Sequence, residues 1–291
     1  MKTDGGRVVH RALGGGRWFP GSREALGKAV AQYMDGASVT GLAGRIVAGF
    51  APHAGYQYSG PVAGYTFRAL RDAAASGQGP ETVVILGFSH HEQFSGVALM
   101  DGDAIATPLG ETPLDKEAGQ ALVDASQRIR FSYAPHQGEH SAENEIPFVQ
   151  AACPKARLVV GLMGDHDMKT IDECVAALLK LGEKRRLVVV ASSDMLHDPD
   201  YALVARTDKA SLEKVRAMDD AGLLQDWTGA HQTFCGICPV VTVMRYARAL
   251  GCKQPAILRY RNSGDDFPES RGQWVVGYGA VVFTAPAAGA K

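Results

Sequence analysis

The sequence has no long apolar run and no excess of charge of either sign. None of its apolar stretches approaches the ~18 residues of a membrane-spanning helix, and its first residues, MKTDGGRVVHRALGGG, lack the apolar segment of a secretory signal. The 30 Lys+Arg residues balance 31 Asp+Glu, which gives a formal net charge of -1. We therefore expect neither a nucleic-acid partner nor membrane association.

Cysteines are few, and their pattern argues against a disulfide framework. They are odd in number and scattered along a 291-residue chain, which favours a reducing, cytoplasmic location. Cys235 and Cys238 form a single CxxC, and no second CxxC stands at the spacing of a structural zinc site. A thioredoxin-like redox motif is an alternative, but such a motif follows an early strand, whereas this one lies late in the chain.

The chain also lacks internal repeats, low-complexity segments and a Pro/Ser-rich linker. We therefore predict a single domain over residues 1–291, with about 1–14 and 285–291 frayed, and keep a two-domain arrangement as the alternative. With 46% hydrophobic residues, a chain of this length buries roughly three quarters of the surface of its unfolded state. No metal or disulfide is needed to stabilise such a core.

Short apolar runs alternate with stretches of helical periodicity. The predicted strands are Arg45–Phe50, Thr82–Gly87, Arg157–Leu162, Arg186–Ala191 and Trp274–Phe283. The predicted helices are Arg23–Tyr33, Pro61–Ala75, Lys116–Ser126, Thr170–Leu181, Tyr201–Ala217 and Val240–Leu250. Uniformly apolar strands are buried on both faces, so we predict an α/β fold with a mostly parallel central sheet covered by helices.

Histidines follow three of the predicted strands. His53 comes after the first strand, His90 and His91 after the second, and His197 shortly after the fourth. Ligands of open α/β sheets bind beyond the carboxyl ends of the strands, so these imidazoles should face one crevice. Any single histidine is more often a structural, hydrogen-bonded side chain. Adjacent residues leaving a strand point in different directions, so only one of His90 and His91 should bind a metal directly.

Two further segments add polar groups to this crevice. Glu139 and His140 could reach it, although the same segment could instead be a solvated helix start with Ser141 as the N-cap. Cys235 could complete a His/His/Cys metal site as a thiolate, because a divalent cation lowers the pKa of a thiol. Cys238 would then be a small apolar residue of the following helix.

The motifs APHAGYQYSG, LGFSHH, EHSAENEIPF, SSDMLH, CGICP and VVGYGAVVF, with the opening GGRWFPG, resemble the Memo family, also called AmmeMemoRadiSam system protein B. The resemblance extends from about Gly15 to Phe283. It implies a fold similar to that of class III extradiol dioxygenases, which use a non-haem Fe(II) site. It also implies His53, His90 and Cys235 as metal ligands, with Cys235 where the dioxygenases place a glutamate.

The cofactor implied by the resemblance is iron or copper. Fe(II) is our first expectation. Cu and Zn are alternatives, because a thiolate in place of a carboxylate raises the affinity for softer ions. His140, Asp194, His197 and His91 are then expected to orient ligands or transfer protons. The segment from Asp265 to Ser270 departs from the family pattern and is expected to shape the mouth of the pocket.

Three functions remain open at this stage. The first is a metal-dependent oxidoreductase of unknown substrate. The second is a binding or assembly protein that retains an enzyme-like pocket and works with AMMECR-type and radical-SAM partners. The third is a metal-dependent hydrolase, because the same ligands could activate a bound water. Fold alone does not distinguish them.

Overall fold

The computed structural model describes residues 2–4 and 6–286, which form two β-sheets and the helices that cover them. The strands are, in chain order, β1 (Lys2–Asp4), β2 (Arg7–Arg11), β3 (Arg45–Ala51), β4 (Thr82–Phe88), β5 (Val97–Leu99), β6 (Ala104–Thr107), β7 (Gly110–Pro113), β8 (Ile129–Phe131), β9 (Arg157–Met163), β10 (Leu187–Ser192), β11 (His197–Asp198), β12 (Ala256–Asn262) and β13 (Val275–Ala285). The α-helices are α1 (Arg23–Asp35), α2 (Tyr56–Ala73), α3 (Lys116–Ala125), α4 (Ile146–Ala152), α5 (Met168–Gly182), α6 (Tyr201–Arg216), α7 (Asp220–Asp226), α8 (Ile237–Ala249) and α9 (Ser263–Asp266).

The main sheet is parallel at its centre and mixed at its edges. Its strands lie in the order β11-β13-β3-β10-β4-β9-β5-β8, and β12 pairs with β13. The central strands β3, β10, β4 and β9 are mutually parallel, whereas β13 runs antiparallel to β3 and β5 antiparallel to β9. The predicted α/β fold is confirmed, and the parallel character that we expected belongs to its four central strands.

The central strands are buried on both faces. Each of β3, β4, β9 and β10 presents valine, isoleucine or leucine on both sides, and helices cover both faces of the sheet. This double burial is the reason their sequences are continuous apolar runs rather than alternating ones. The predicted strand limits agree with the observed ones within two residues.

Side chains at the helix N-termini set several of the helix boundaries. Ser22, Asp115, Asp167 and Asp200 each accept a hydrogen bond from a backbone N–H in the first turn of the helix that follows. Helix α2 differs most from prediction, because it begins at Tyr56 and carries Pro61 in its interior. Proline usually lies in the first turn, which is why the sequence placed the start of this helix at Pro61.

A small second sheet forms where we expected a frayed N-terminus. Its strand order is β1-β2-β6-β7, and Val9 of β2 pairs with Ala104 of β6 in a parallel register. The prediction that residues up to 14 are frayed is therefore wrong for residues 7–11. At the other end β13 extends to Ala285. Residues 287–291 of the predicted frayed tail lie outside the described residues, as do residues 1 and 5. Among the described residues, each helix is too short or too polar to cross a membrane.

Candidate metal centre

Three neighbouring parallel strands end at the same edge of the sheet and carry the candidate site. β3 leads into His53, β4 leads into His90, and β10, which lies between them, leads into Asp194. The crevice predicted beyond the strand ends therefore exists. Gly87 allows the segment from Glu139 to Glu145 to pack against it, because a Cβ there would lie 2.4 Å from Ser141 Oγ.

Three imidazoles converge in this crevice. One ligating nitrogen from each of His53, His90 and His140 lies within 4.8 Å of the others, a spacing that could hold a metal ion. The ring centroids of His53 and His90 are 5.3 Å apart, and His140 lies 5.3 Å from His53 and 5.2 Å from His90. His53 is buried, whereas the side chains of His140 and His90 are 15% and 28% exposed. One side of the cluster is therefore open to approach from outside.

The thiol of Cys235 contacts His53, although Cys235 is not one of the three residues whose ligand atoms all lie within 4.8 Å of one another. Its Sγ lies 3.3 Å from His53 Nε2 and accepts a hydrogen bond from the backbone N–H of Asp194 at 3.2 Å. Cys235 immediately precedes Gly236, the N-cap of α8, and its own N–H donates to Asp194 O at 3.2 Å. Cys238 lies in the core within α8, as predicted, and burial raises the pKa of its thiol to about 12.

Hydrogen bonds fix the outer nitrogens of two of these imidazoles. His53 Nδ1 lies 3.0 Å from Ser192 Oγ, and His90 Nδ1 lies 3.0 Å from Glu139 Oε1. With Nδ1 held as a donor in each ring, the Nε2 lone pair is left for an ion in the crevice. This donor set of imidazole nitrogens and a thiolate fits a transition-metal ion such as iron, copper or zinc.

The thiol and the imidazoles strongly shift one another's ionisation. Burial by itself raises the pKa of Cys235, but the positive field and hydrogen bonds of His53 and His90 hold that pKa well below its usual value. Burial lowers the pKa of His53, yet Cys235 and Asp194 raise it to about 9. The pKa of His90 is likewise raised to about 10 by hydrogen bonds to Cys235 and Glu139, against the effect of burial. These interactions thus favour the thiolate form of Cys235.

His140 behaves differently from the other two imidazoles. Burial, together with the positive charge of His53, lowers the pKa of His140 to about 3, so this ring is neutral at pH 7. Trp18 stacks on it, with ring centroids 3.9 Å apart and planes 7° from parallel. His140 therefore presents a fixed, uncharged imidazole to the crevice.

Glu139 accounts for the local structure around His90 and His140. Its carboxylate accepts from the backbone N–H of His90 at 2.6 Å and from the N–H groups of His140 and Ser141 at 2.8 Å each. These bonds and the His90 ring outweigh burial and hold the pKa of Glu139 far below its usual value. Glu139 and His140 do reach the crevice, and the alternative of a helix start capped by Ser141 is wrong, because Ser141 Oγ instead donates to Phe88 O and α4 begins only at Ile146.

Behind His53 lies a buried acid that carries a proton. Ser192 Oγ lies 2.5 Å from Ser141 O, 3.0 Å from His53 Nδ1 and 2.8 Å from Glu145 Oε1. A hydroxyl has one proton, and the carbonyl at 2.5 Å can only accept it, so the other two partners must donate. Glu145 is therefore a neutral carboxylic acid. Burial raises its pKa to about 8, and its second oxygen has no hydrogen-bond partner.

Asp194 and His197 lie on the other side of His53. Asp194 Oδ1 accepts from the backbone N–H of His53 at 2.8 Å and of Ala54 at 3.2 Å, which fixes the loop after β3. Its Oδ2 lies 4.0 Å from His53 Nε2 and 3.9 Å from His197 Nε2. Burial raises the pKa of Asp194, and the nearby His53 opposes that rise. The imidazole of His197 therefore reaches the edge of the site, where its Nε2 has no hydrogen-bond partner.

The remaining predicted residue, His91, is exposed and is not one of the imidazoles that converge in the crevice. Four residues around the site were not predicted from the sequence: Asn144, Glu145, Ser192 and Trp18. Asn144 Nδ2 donates to His53 O at 2.6 Å, and Tyr56 OH donates to Asn144 O at 2.7 Å. The motifs EHSAENEIPF, GGRWFPG and SSDMLH contained all four residues, but their spacing did not show which groups they contact.

An aromatic cavity of about 640 Å³ adjoins the centre. Ala54, which follows His53, lines it, as does Trp18, which stacks on His140. Trp274 also lines it and lies 5.9 Å from the ring of His197. Phe267 and Ser270, from the segment that departs from the family pattern, contribute to the wall. We predicted that this segment shapes the pocket, and its position in the wall agrees with that prediction.

The α/β sheet and the imidazole cluster at its strand ends describe a protein with a candidate metal centre. A model of the Memo-like protein family matches residues 11–282. The chain therefore belongs to the Memo-like family.

Archaeal relatives support this membership. A MEMO1 family protein of Methanopyrus kandleri is 36% identical over 80% of this chain and 81% of its own length. One from Pyrobaculum aerophilum is 31% identical over 83% of this chain and 85% of its own length.

A solved structure of an uncharacterised protein of Escherichia coli K12 resembles this chain with a TM-score of 0.47 and 14% identity, covering 81% of this chain and 99% of that one.

Proposed function

We propose that this protein binds a transition-metal ion through His53 Nε2, His90 Nε2 and Cys235 Sγ and acts as a metal-dependent oxidoreductase. The observation that carries the proposal is the thiol of Cys235, whose Sγ lies 3.3 Å from His53 Nε2 and whose pKa is lowered by His53 and His90. Fe(II) is the first candidate, and Cu or Zn are alternatives. A bound ion of this kind supplies Lewis acidity and, for iron or copper, one-electron chemistry.

The choice of Cys235 rather than His140 as the third ligand follows from charge. Two neutral imidazoles contribute no charge to balance a buried divalent cation, and a third imidazole adds none. A thiolate brings a negative charge into direct contact with the ion, which offsets part of its desolvation. Three protein ligands also leave positions open for a substrate, as in catalytic sites.

His140, Asp194 and His197 are then left for proton transfer and orientation. His140 is neutral at pH 7 and held by Trp18, so it can accept a proton from a group bound in the crevice. Asp194 orients the backbone of His53, and His197 faces the same carboxylate. His91, exposed at the rim, is a candidate for contact with a substrate rather than with the ion.

The affinity of the protein for Fe(II) and Zn(II), measured anaerobically in matched variants, tests this assignment. Cys235→Ser should weaken metal binding by at least about tenfold with little change in thermal unfolding, because the large core does not depend on the ion. His140→Gln and His197→Gln should bind metal nearly as well as the wild type. His53→Gln is the positive control for a lost ligand.

Other results of this titration would change the assignment. A loss in His140→Gln as large as that in His53→Gln, with Cys235→Ser unaffected, would replace the thiolate with a third imidazole. Equal losses in Cys235→Ser and His140→Gln would indicate a closed four-ligand site, which is typical of structural zinc.

There are two alternative functions. The first is an assembly role with AMMECR-type and radical-SAM partners, and the second is a metal-dependent hydrolase. Metal-loaded protein that consumes O2 or a reductant with catechols or thiols, and loses this turnover in Cys235→Ser, supports the oxidoreductase. Metal binding without turnover, combined with stable capture of such partners, favours assembly. The free, buried state of Cys153, Cys174, Cys235, Cys238 and Cys252 supports a cytoplasmic location for any of these roles.

A further inference from the structure

A second cavity, of about 550 Å³, lies at the edge of the main sheet where its parallel strands begin. Glu81 and Arg186, which directly precede β4 and β10, line this cavity, as do residues 151–156, which lead into β9. The candidate metal centre lies beyond the opposite ends of β4 and β10, and the 7 residues of β4 span roughly 23 Å. A ligand of this cavity is therefore distinct from a substrate of the metal centre.

Two segments made mostly of small residues leave this space open. Residues 74–80, with the sequence AASGQGP, connect the end of α2 to the start of β4, and residues 151–156, with the sequence AACPKA, connect α4 to β9. Gly77 turns the first segment with φ of 81°, in the left-handed region that favours glycine. Larger side chains in these two segments would fill the space between them, so the cavity follows directly from the sequence.

Small apolar side chains form the floor of this cavity. Ala152, Cys153 and Ala156 are buried there, and Ala74 and Pro80 are partly buried. Burial raises the pKa of the Cys153 thiol to about 12, so this thiol is uncharged at pH 7. The described residues contribute no aromatic side chain to the lining. The floor therefore offers contacts to an aliphatic chain and no surface on which a planar ring could stack.

The charged side chains at the rim leave one positive charge without a partner. Arg71 Nη2 lies 2.7 Å from Asp35 Oδ1, and Arg186 Nε lies 3.6 Å from Glu81 Oε1. Lys155 is exposed, and no carboxylate of the described residues pairs with it. Glu81, which is already paired, is the one acidic side chain that the described residues place in the lining. The rim is therefore complementary to an anion rather than to a cation.

We propose that this cavity binds an aliphatic molecule with one anionic group, such as a medium-chain carboxylate, with its hydrocarbon chain against Ala152 and Ala156 and its anion at Lys155. One unpaired cation beside an apolar floor matches a ligand with one charge at the end of an apolar chain. The volume of about 550 Å³ lies within the usual range of small-molecule pockets, ~300–1,000 Å³. The proposal does not depend on the function proposed for the metal centre.

Calorimetry of the metal-free protein at pH 7 with four ligands tests the proposal. Octanoate is the aliphatic anion, acetate keeps the charge without the chain, octanol keeps the chain without the charge, and octylammonium reverses the charge. Octanoate should bind at least about tenfold tighter than acetate, because each methylene removed from water contributes up to about fourfold. It should bind about threefold tighter than octanol, as expected for one exposed ion pair, and octylammonium should bind more weakly than octanol.

Matched variants locate the chain and the charge. Ala151→Phe and Ala75→Phe, at exposed alanines of the lining, should each weaken octanoate binding at least about tenfold by filling the space that the chain occupies. Ala210→Phe, at an exposed alanine of α6 away from the cavity, is the control for both. Lys155→Gln should remove only the preference for octanoate over octanol, and Lys180→Gln, at an exposed lysine of α5, should leave that preference unchanged.

Several outcomes would overturn the assignment. They are no binding of octanoate, equal binding of octanoate and octanol to the wild type, and octanoate binding that both phenylalanine variants of the lining leave unchanged. Octanoate should bind equally well to Cys235→Ser, because the two sites lie at opposite edges of the sheet. A loss in that variant would place the ligand at the metal centre and refute the proposal. If octanoate binds as described and no metal binds, the cavity assignment stands and the metal-dependent function fails.

Discussion

The neutral state of Glu145 makes a prediction about stability that needs neither metal nor substrate. In the unfolded chain this carboxyl titrates near its ordinary pKa of 4.5, whereas burial raises the pKa to about 8 in the folded protein. Between these values the unfolded state releases a proton that the folded state retains. Folding therefore carries a cost that grows with pH through this window.

Glu145→Gln should remove this cost. Glutamine is neutral at every pH, has nearly the same shape, and its amide N–H can donate to Ser192 Oγ in place of the acid proton. Below pH 4.5 both side chains are neutral in both states, and the two proteins should have similar stability. Above it, the free energy of unfolding of the variant should rise relative to the wild type by roughly 1.4 kcal/mol per pH unit, levelling off near pH 8.

Urea unfolding of the metal-free proteins at several pH values from 5 to 8 measures this difference. Glu213→Gln, at a side chain that is 69% exposed, is the control and should show a difference that does not depend on pH. If the difference in unfolding free energy between Glu145→Gln and the wild type also does not change with pH, Glu145 is ionised in the folded state. The hydrogen-bond assignment at Ser192 would then be wrong. A carboxylic-acid C=O band in the infrared spectrum at pH 7, absent from Glu145→Gln, is the independent check.

Two further predictions concern the site directly. Iodoacetamide at pH 7 should modify Cys235 before the other four cysteines in metal-free protein, because the pKa of Cys235 is well below its usual value while burial raises the pKa of each of the others. Bound metal should protect Cys235 from modification. Peptide mapping gives the order of modification, and earlier labelling of Cys238 would contradict the thiolate. Gly87→Ala should destabilise the fold by about 1–3 kcal/mol and weaken metal binding, because the added Cβ of residue 87 would lie 2.4 Å from Ser141 Oγ. Unchanged thermal unfolding and metal affinity in this variant would show that the segment from Glu139 to Glu145 adapts easily.

The parts of the fold that were predictable from the sequence are those with a local signal. Continuous apolar runs gave the four central strands, because burial on both faces imposes that pattern. The short strands β5, β8 and β11 have two or three residues each, and β12 is only partly buried, so their sequences carry no comparable signal. The parallel pairing of β2 with β6 depends on residues about 95 positions apart, which no local pattern reveals.

The candidate site was predictable to a similar degree and for the same reason. Residues that directly follow a buried strand, such as His53, His90 and Asp194, could be placed at one edge of the sheet. Cys235 required the additional argument that its CxxC was isolated and late in the chain. Ser192 and Glu145 act through hydrogen bonds between distant segments, so their roles became visible only when all the partners of one hydroxyl were counted.

The two imidazoles assigned to the ion have different hydrogen-bond partners at Nδ1, and this difference leads to a final prediction. His90 Nδ1 contacts the ionised carboxylate of Glu139, whereas His53 Nδ1 contacts the neutral hydroxyl of Ser192. A carboxylate partner makes an imidazole a stronger electron donor, and losing such a partner weakens metal binding by roughly 10–100-fold. Glu139→Gln should therefore weaken metal affinity more than Ser192→Ala does.

Thermal unfolding of each variant must be measured together with its metal affinity, because Glu139 also accepts hydrogen bonds from three backbone N–H groups. The structural contribution can be separated with Glu139→Asp, which keeps the charge but shortens the side chain. If charge on the His90 partner controls the ion, Glu139→Asp should retain more affinity than Glu139→Gln at equal or lower stability. Equal affinity in the two variants, with affinity falling in step with stability, would reduce Glu139 to a residue that only holds the loop.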